Sequence, residues 1–135
     1  MKKALALILA LTIVFGITGC SDPKEMAKED ITDKVYVYEK AGFGGDFTIE
    51  IKSDGTFTYY EGFFSSHIGM GEWSYSDGML TLFEKISRFN EAQELEEVIH
   101  SYSFSVEKDT LIFADNGSGN FRYIKVKDGE RFVVQ

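Results

Sequence analysis

The sequence predicts an all-β fold, an antiparallel up-and-down barrel of about eight or nine strands over residues 34–135. Three observations carry this. Apolar and polar residues alternate with period two through most of the chain, as half-buried strands require. Asp-Gly pairs recur between the alternating stretches, at Asp54-Gly55, Asp77-Gly78 and Asp128-Gly129, and supply the positive φ angles of tight hairpins. The single proline, Pro23, lies outside this region, so none interrupts a hydrogen-bonded ladder.

In chain order, residues 34–39 form the first strand. Phe47, Ile49 and Ile51 alternate with Thr48, Glu50 and Lys52 in the second, and Phe57 and Tyr59 with Thr56 and Thr58 in the third. Trp73 and Tyr75 mark the fourth, with Trp73 expected in the core, and Leu80 and Leu82 the fifth. Residues 85–97 admit two readings. Phe89, Ala92 and Leu95 have rough helical spacing, whereas residues 84–88 and 94–103 extend a long hairpin turning at residues 90–93; the strands on either side favour the hairpin. Tyr102, Phe104 and Val106 alternate with serines, residues 111–113 form a short apolar strand, and residues 121–126 and 130–134 close the chain.

Strand direction follows by counting. With strand one rising, the turns at Asp54, Asp77, Lys108 and Asp128 all fall at one rim. The long connections at residues 41–45, 62–71, around Asn90 and 115–119 fall at the other. The result is a barrel tight at one end and loose at its mouth.

The chain starts with Lys2 and Lys3, then an apolar run over residues 4–15, then Ile17-Thr18-Gly19-Cys20. This run is shorter than the about 20 apolar residues a spanning helix needs, and it has the three-part layout of an export signal. The segment Ile17 to Cys20 resembles the lipobox of bacterial lipoproteins. That resemblance implies cleavage after residue 19, acylation of Cys20 with chains such as palmitate, and an anchor on the extracytoplasmic face of a bacterial membrane. Residues 1–19 are then the signal peptide, residues 20–33 the lipid anchor and tether, and residues 34–135 the domain. Within the tether, Asp22 and Pro23 could open a short helix. The tether enters at the tight rim, so the loose rim faces away from the membrane.

Removal of residues 1–19 from the 135 leaves 116, room for one core. Lys2 and Lys3 go with the signal, leaving 12 basic residues against 22 acidic ones and a formal charge of −10, which argues against nucleic acid as a partner. Cys20 is the only cysteine, so no intrachain disulfide forms.

The succession of "DGTFT", a glycine-flanked loop, "GEWSYSDGMLTL" and "YSFSVEKDTLIF" resembles the lipocalin-like β-barrel domains of small exported bacterial lipoproteins, over about residues 36–134. The shared residues are turn and core residues, so the resemblance implies a fold and carries over no functional site. Lipocalins carry Gly-x-Trp on their first strand, whereas Gly71-Glu72-Trp73 stands on the fourth strand here.

Residues suited to catalysis are sparse. His67 and His100 lack the spacing of a metal pair, and Ser65-Ser66-His67 is adjacent in sequence without the base, acid and oxyanion donors that a serine nucleophile needs. Glu94, Glu96 and Glu97 read as a solvated face, and residues 115–120 lack the ligand order of a calcium loop. No catalytic residue, metal or cofactor is expected, which leaves binding. Residues 62–71 break the alternation and place Phe63, Phe64, Ile68 and Met70 in a glycine-flanked loop, on the same rim as Phe43. These five form the candidate binding rim. Phe63, Phe64 and Ile68 either turn outward as a contact surface or fold inward and plug the mouth, the second being favoured for so small a domain. The expected protein is a monomeric, lipid-anchored, non-enzymatic binding protein for a protein partner or small apolar ligand. An inhibitor or immunity-type protein that blocks an enzyme, and a structural envelope lipoprotein, are the alternatives.

Overall fold

In a computed structural model the alternating stretches pair in sequence order and close on themselves. The structure describes residues 27–40, 42, 45–63 and 65–135. The strands are β1 (Lys34–Tyr38), β2 (Thr48–Ile51), β3 (Thr56–Tyr60), β4 (Ile68–Ser76), β5 (Met79–Phe89), β6 (Leu95–Glu107), β7 (Thr110–Ala114) and β8 (Arg131–Val134). Each pairs antiparallel with its neighbours, and β1 closes the barrel against β8 through Tyr36↔Val134 and Tyr38↔Phe132. The signal, Cys20 and the Asp22-Pro23 helix start lie outside the described residues, as do Phe43 and Phe64.

Alternation sets the inside. Tyr36, Tyr38, Ile49, Ile51, Phe57, Tyr59, Leu80, Leu82, Tyr102, Phe104, Leu111, Phe113 and Phe132 all face inward and are buried. Their rings meet across the barrel, Phe104 lying 5.5 Å from Phe113 and 5.6 Å from Phe132 in edge-to-face contacts that favour aromatic pairs. At the tight rim, Ile31 seals the base: its side chain is fully buried and its carbonyl accepts a 3.1 Å bond from the Tyr36 hydroxyl. Core packing therefore begins before β1, within the stretch expected to be a tether. Asp77 and Gly78 take φ of 52° and 74°, the primed geometry that matches strand twist.

Residues 85–97 form the hairpin, not a helix. The β4 ladder reaches β5 only as far as Gly71↔Glu84, and the β7 ladder reaches β6 only as far as Ser103↔Ala114. Residues 85–89 and 95–99 thus pair only with each other and extend past the loose rim. The turn is tied by Asn90, whose Oδ1 accepts the Ala92 and Glu94 N–H groups.

Three expectations are corrected. Residues 121–126 are not a ninth strand: they lie in the connection from β7 to β8, where Asn120 Oδ1 accepts the N–H groups of Phe121 and Val126 in place of a ladder. In consequence Asp128-Gly129 turns at the loose rim, its Gly129 N–H bonding Phe113 near the top of β7. Ile68 and Met70 belong to β4 rather than to a loop, because the strand starts early. Gly69 and Gly71 are needed there for close approach: a Cβ would meet the Tyr59 ring at 1.8 Å in one case and the Phe83 carbonyl oxygen at 1.9 Å in the other. Trp73 points inward but is only half-buried, since it sits near the tight rim with its indole N–H on the Lys52 carbonyl at 2.9 Å and Lys28 over its ring.

Candidate functional site

Leu80 and Leu82 face the interior of β5, and the same phase carries Glu84 inward, where it is 3% exposed. A bare carboxylate there would be costly. Glu84 Oε2 accepts hydrogen bonds from the hydroxyls of Tyr59 at 2.9 Å and Tyr102 at 2.8 Å, and Oε1 accepts one from His67 Nε2 at 3.1 Å. The tyrosines come from β3 and β6, and His67 from the loop before β4. His67 is aimed by Ser65, whose buried Oγ accepts the His67 N–H and donates to its carbonyl. Burial first, then the neighbouring phenol and carboxylate, pushes the Tyr59 phenol far above its ordinary value; burial and the bond to Glu84 do the same for Tyr102. Both phenols therefore stay protonated and act as donors.

A second buried acid organises the cover of the mouth. Glu61 directly follows β3, and its Oε1 accepts the backbone N–H groups of Tyr123 at 2.9 Å and Ile124 at 2.8 Å. This holds the β7–β8 connection across the open end. Phe121, on the same connection, drops fully into the barrel and stacks on Tyr102 at 4.2 Å, with its ring edge-on to Phe47 and Tyr59. Phe121 is the plug. The sequence reading assigned that role to Phe63, Phe64 and Ile68, yet Phe63 is 83% exposed and Ile68 55% exposed, so both point outward. Among the described residues Glu61 Oε2 and His100 Nδ1 are buried without a hydrogen-bond partner.

Between Phe121, Tyr102 and the base of the long hairpin a cleft of about 260 Å³ opens, walled by Ile86 and His100 and edged by Arg122 and Lys125. On the outer surface Met70, Phe83, Lys85 and Ile99 line a separate groove of about 290 Å³. Of the candidate rim, Phe63 packs over the backbone of Gly45, where a Cβ would stand 2.6 Å from its ring, so the two expected loops do meet. Met70 is 61% exposed and lies outward on β4, as does Ile68, continuing the apolar surface down the outside of the barrel and away from its mouth. Phe43 and Phe64 lie outside the described residues.

Sequence reasoning missed Glu84, Glu61, Tyr59, Tyr102 and Phe121 as a group. The signal for Glu84 was present: a carboxylate in phase with Leu80 and Leu82 is an acid on an inward face. Nothing local marked Glu61 or Phe121. Among the described residues, no group of three or more His, Cys, Asp and Glu side chains is placed to hold a metal ion.

The fold and site define an eight-stranded, closed, up-and-down antiparallel β-barrel with an aromatic interior and a polar, loop-covered mouth, an architecture compatible with a lipocalin-like barrel. No protein-family model matches the chain, and neither does any characterised protein or solved structure compared with it.

Proposed function

We propose that the protein is a lipoprotein of the lipocalin-like kind, anchored through Cys20 on the extracytoplasmic face of a bacterial membrane, and that it acts there as a non-enzymatic binding protein for a protein partner. The observation that carries this reading is the exposed apolar surface of Phe63, Ile68, Met70, Phe83 and Ile99, which runs from the loose rim down the outer face of β4–β6. Soluble domains seldom leave such side chains grouped unless something covers them. The aromatic packing inside supports a surface role over carriage of a large apolar ligand within the barrel.

Site-specific photo-crosslinking in cells tests the surface. A photoreactive phenylalanine analogue at Phe63, Met70 or Phe83 is expected to give a discrete protein adduct, and the same group at Lys108, on the tight rim, is expected to give none. Adducts confined to Lys108 would place the partner at the opposite end and overturn the reading.

A further inference from the structure

We infer that the cleft at the barrel mouth is a binding site for a small aromatic carboxylate. It is separate from the outer apolar surface and independent of any protein partner.

Most polar groups around the cleft are already spent on partners within the fold. Both oxygens of Glu84 are occupied, one by two phenols and the other by His67. The side-chain oxygen of Asn120 accepts two backbone N–H groups and its amide donates to the Val126 carbonyl. Tyr59 and Tyr102 turn their hydroxyl hydrogens toward Glu84 and offer none to the cleft. Glu61 Oε2 is buried without a partner and does not line the cleft, and what remains on the lining is cationic. Arg122 is exposed and has no hydrogen bond or ion pair among the described residues. The Lys125 ammonium uses one donor on the Phe121 carbonyl, leaving two. His100 Nδ1 is also without a partner, but it is buried beside Gly119 and offers the cleft nothing.

Arg122 and Lys125 thus edge the cleft with two cations, on a protein whose charge is otherwise strongly negative, without an acid among the cleft-lining residues to neutralise them. The walls decide the rest of the ligand. Ile86 and the stacked pair Tyr102–Phe121 present apolar and π surface, and cavities of about 150 Å³ already take a benzene ring. A planar ring would lie along these walls with its carboxylate toward Arg122 and Lys125. Glu61 acts as a positioning residue, since its bonds to the N–H groups of Tyr123 and Ile124 fix the turn that carries both cations.

The test is calorimetric titration of the full-length protein in neutral detergent with benzoate, benzyl alcohol, benzylammonium and acetate. Benzoate is expected to bind best, since the alcohol lacks the charge, the amine reverses it and acetate lacks the ring. Arg122→Ala combined with Lys125→Ala should raise the benzoate dissociation constant at least about tenfold, as loss of charge-assisted bonds does. Arg122→Ala alone, at an exposed residue that bonds nothing in the fold, should weaken binding in the same direction if the double variant fails to fold. Lys108→Ala at the other rim should change nothing. Preference for benzylammonium, equal binding of acetate and benzoate, unaltered affinity in both Arg122 variants, or no heat with benzoate would each overturn the proposal.

Discussion

Replacing Glu84 decides whether the mouth of this barrel is held by its buried acid or merely tolerates it. Glu84→Leu removes the acceptor and leaves the hydroxyls of Tyr59 and Tyr102 buried and unpaired, while half-exposed His67 can turn to water. An unsatisfied buried donor costs about 1–3 kcal/mol, so two of them put the loss at about 2–6 kcal/mol, a large part of a small domain's stability. Glu84→Gln keeps the shape and one carbonyl acceptor but loses the charge. Three charge-assisted bonds of about 1.5–3 kcal/mol become at best neutral ones of about 0.5–1.5, and the relief of burying no charge offsets part of the difference. The expected loss is about 1–3 kcal/mol, smaller than for leucine. Urea melts at pH 7, compared at constant m, measure both. Losses below about 0.5 kcal/mol for both variants, or stabilisation by leucine, would show that the three donors find other partners and would refute the reasoning.

Further outcomes follow from the same packing. Phe121→Ala should cost about 3–5 kcal/mol in denaturant melts, because a fully buried ring is lost, whereas Phe63→Ser should change stability by less than about 0.5 kcal/mol. Trp73→Ala should fall between these, at about 1–3 kcal/mol, since the ring is half-buried and makes one hydrogen bond to the Lys52 carbonyl. Glu130 is held down at about 2 by the Lys127 N–H, the Tyr38 hydroxyl and Lys40. A depressed carboxyl contributes stability that is present above the ordinary value of 4.5 and lost as pH falls toward about 2, so Glu130→Gln should flatten the acid limb of the stability profile in that window. Tyr38 and Tyr36 are pushed up to about 12, chiefly by burial, so the opposite limb applies: their contribution is full below pH 10 and fades above it, and ultraviolet titration should show these phenols ionising above their ordinary value of 10. Cys20→Ser should release the exported protein from membranes in fractionation, since the lipid supplies its anchor in the proposed function.

Alternation alone determined the strands and their order, because the period of two in Phe47–Ile51, Phe57–Tyr59 or Tyr102–Val106 records which side of each strand is wet. Tight-turn chemistry likewise determined the hairpins at Asp54, Asp77 and Lys108, where backbone conformation is a local property. The stretch 121–126 misled for the same reason: its apolar–polar rhythm is that of a strand, but a ladder needs a partner strand, and here Asn120 and Glu61 take the backbone groups that a partner would have bonded. That one error also moved Asp128 to the wrong rim. Whether the loop phenylalanines plug the mouth was likewise undecidable locally, since Phe63 and Phe121 are equally apolar and only the closed barrel has room for one of them between Tyr102 and Phe47. The polar centre was decided by tertiary structure alone. Glu84 meets Tyr59 from 25 residues away, and Glu61 meets Ile124 from 63, and such contacts exist only after the sheet has closed and brought opposite walls within hydrogen-bond distance. A sequence pattern records burial; it does not record what faces a residue across the barrel.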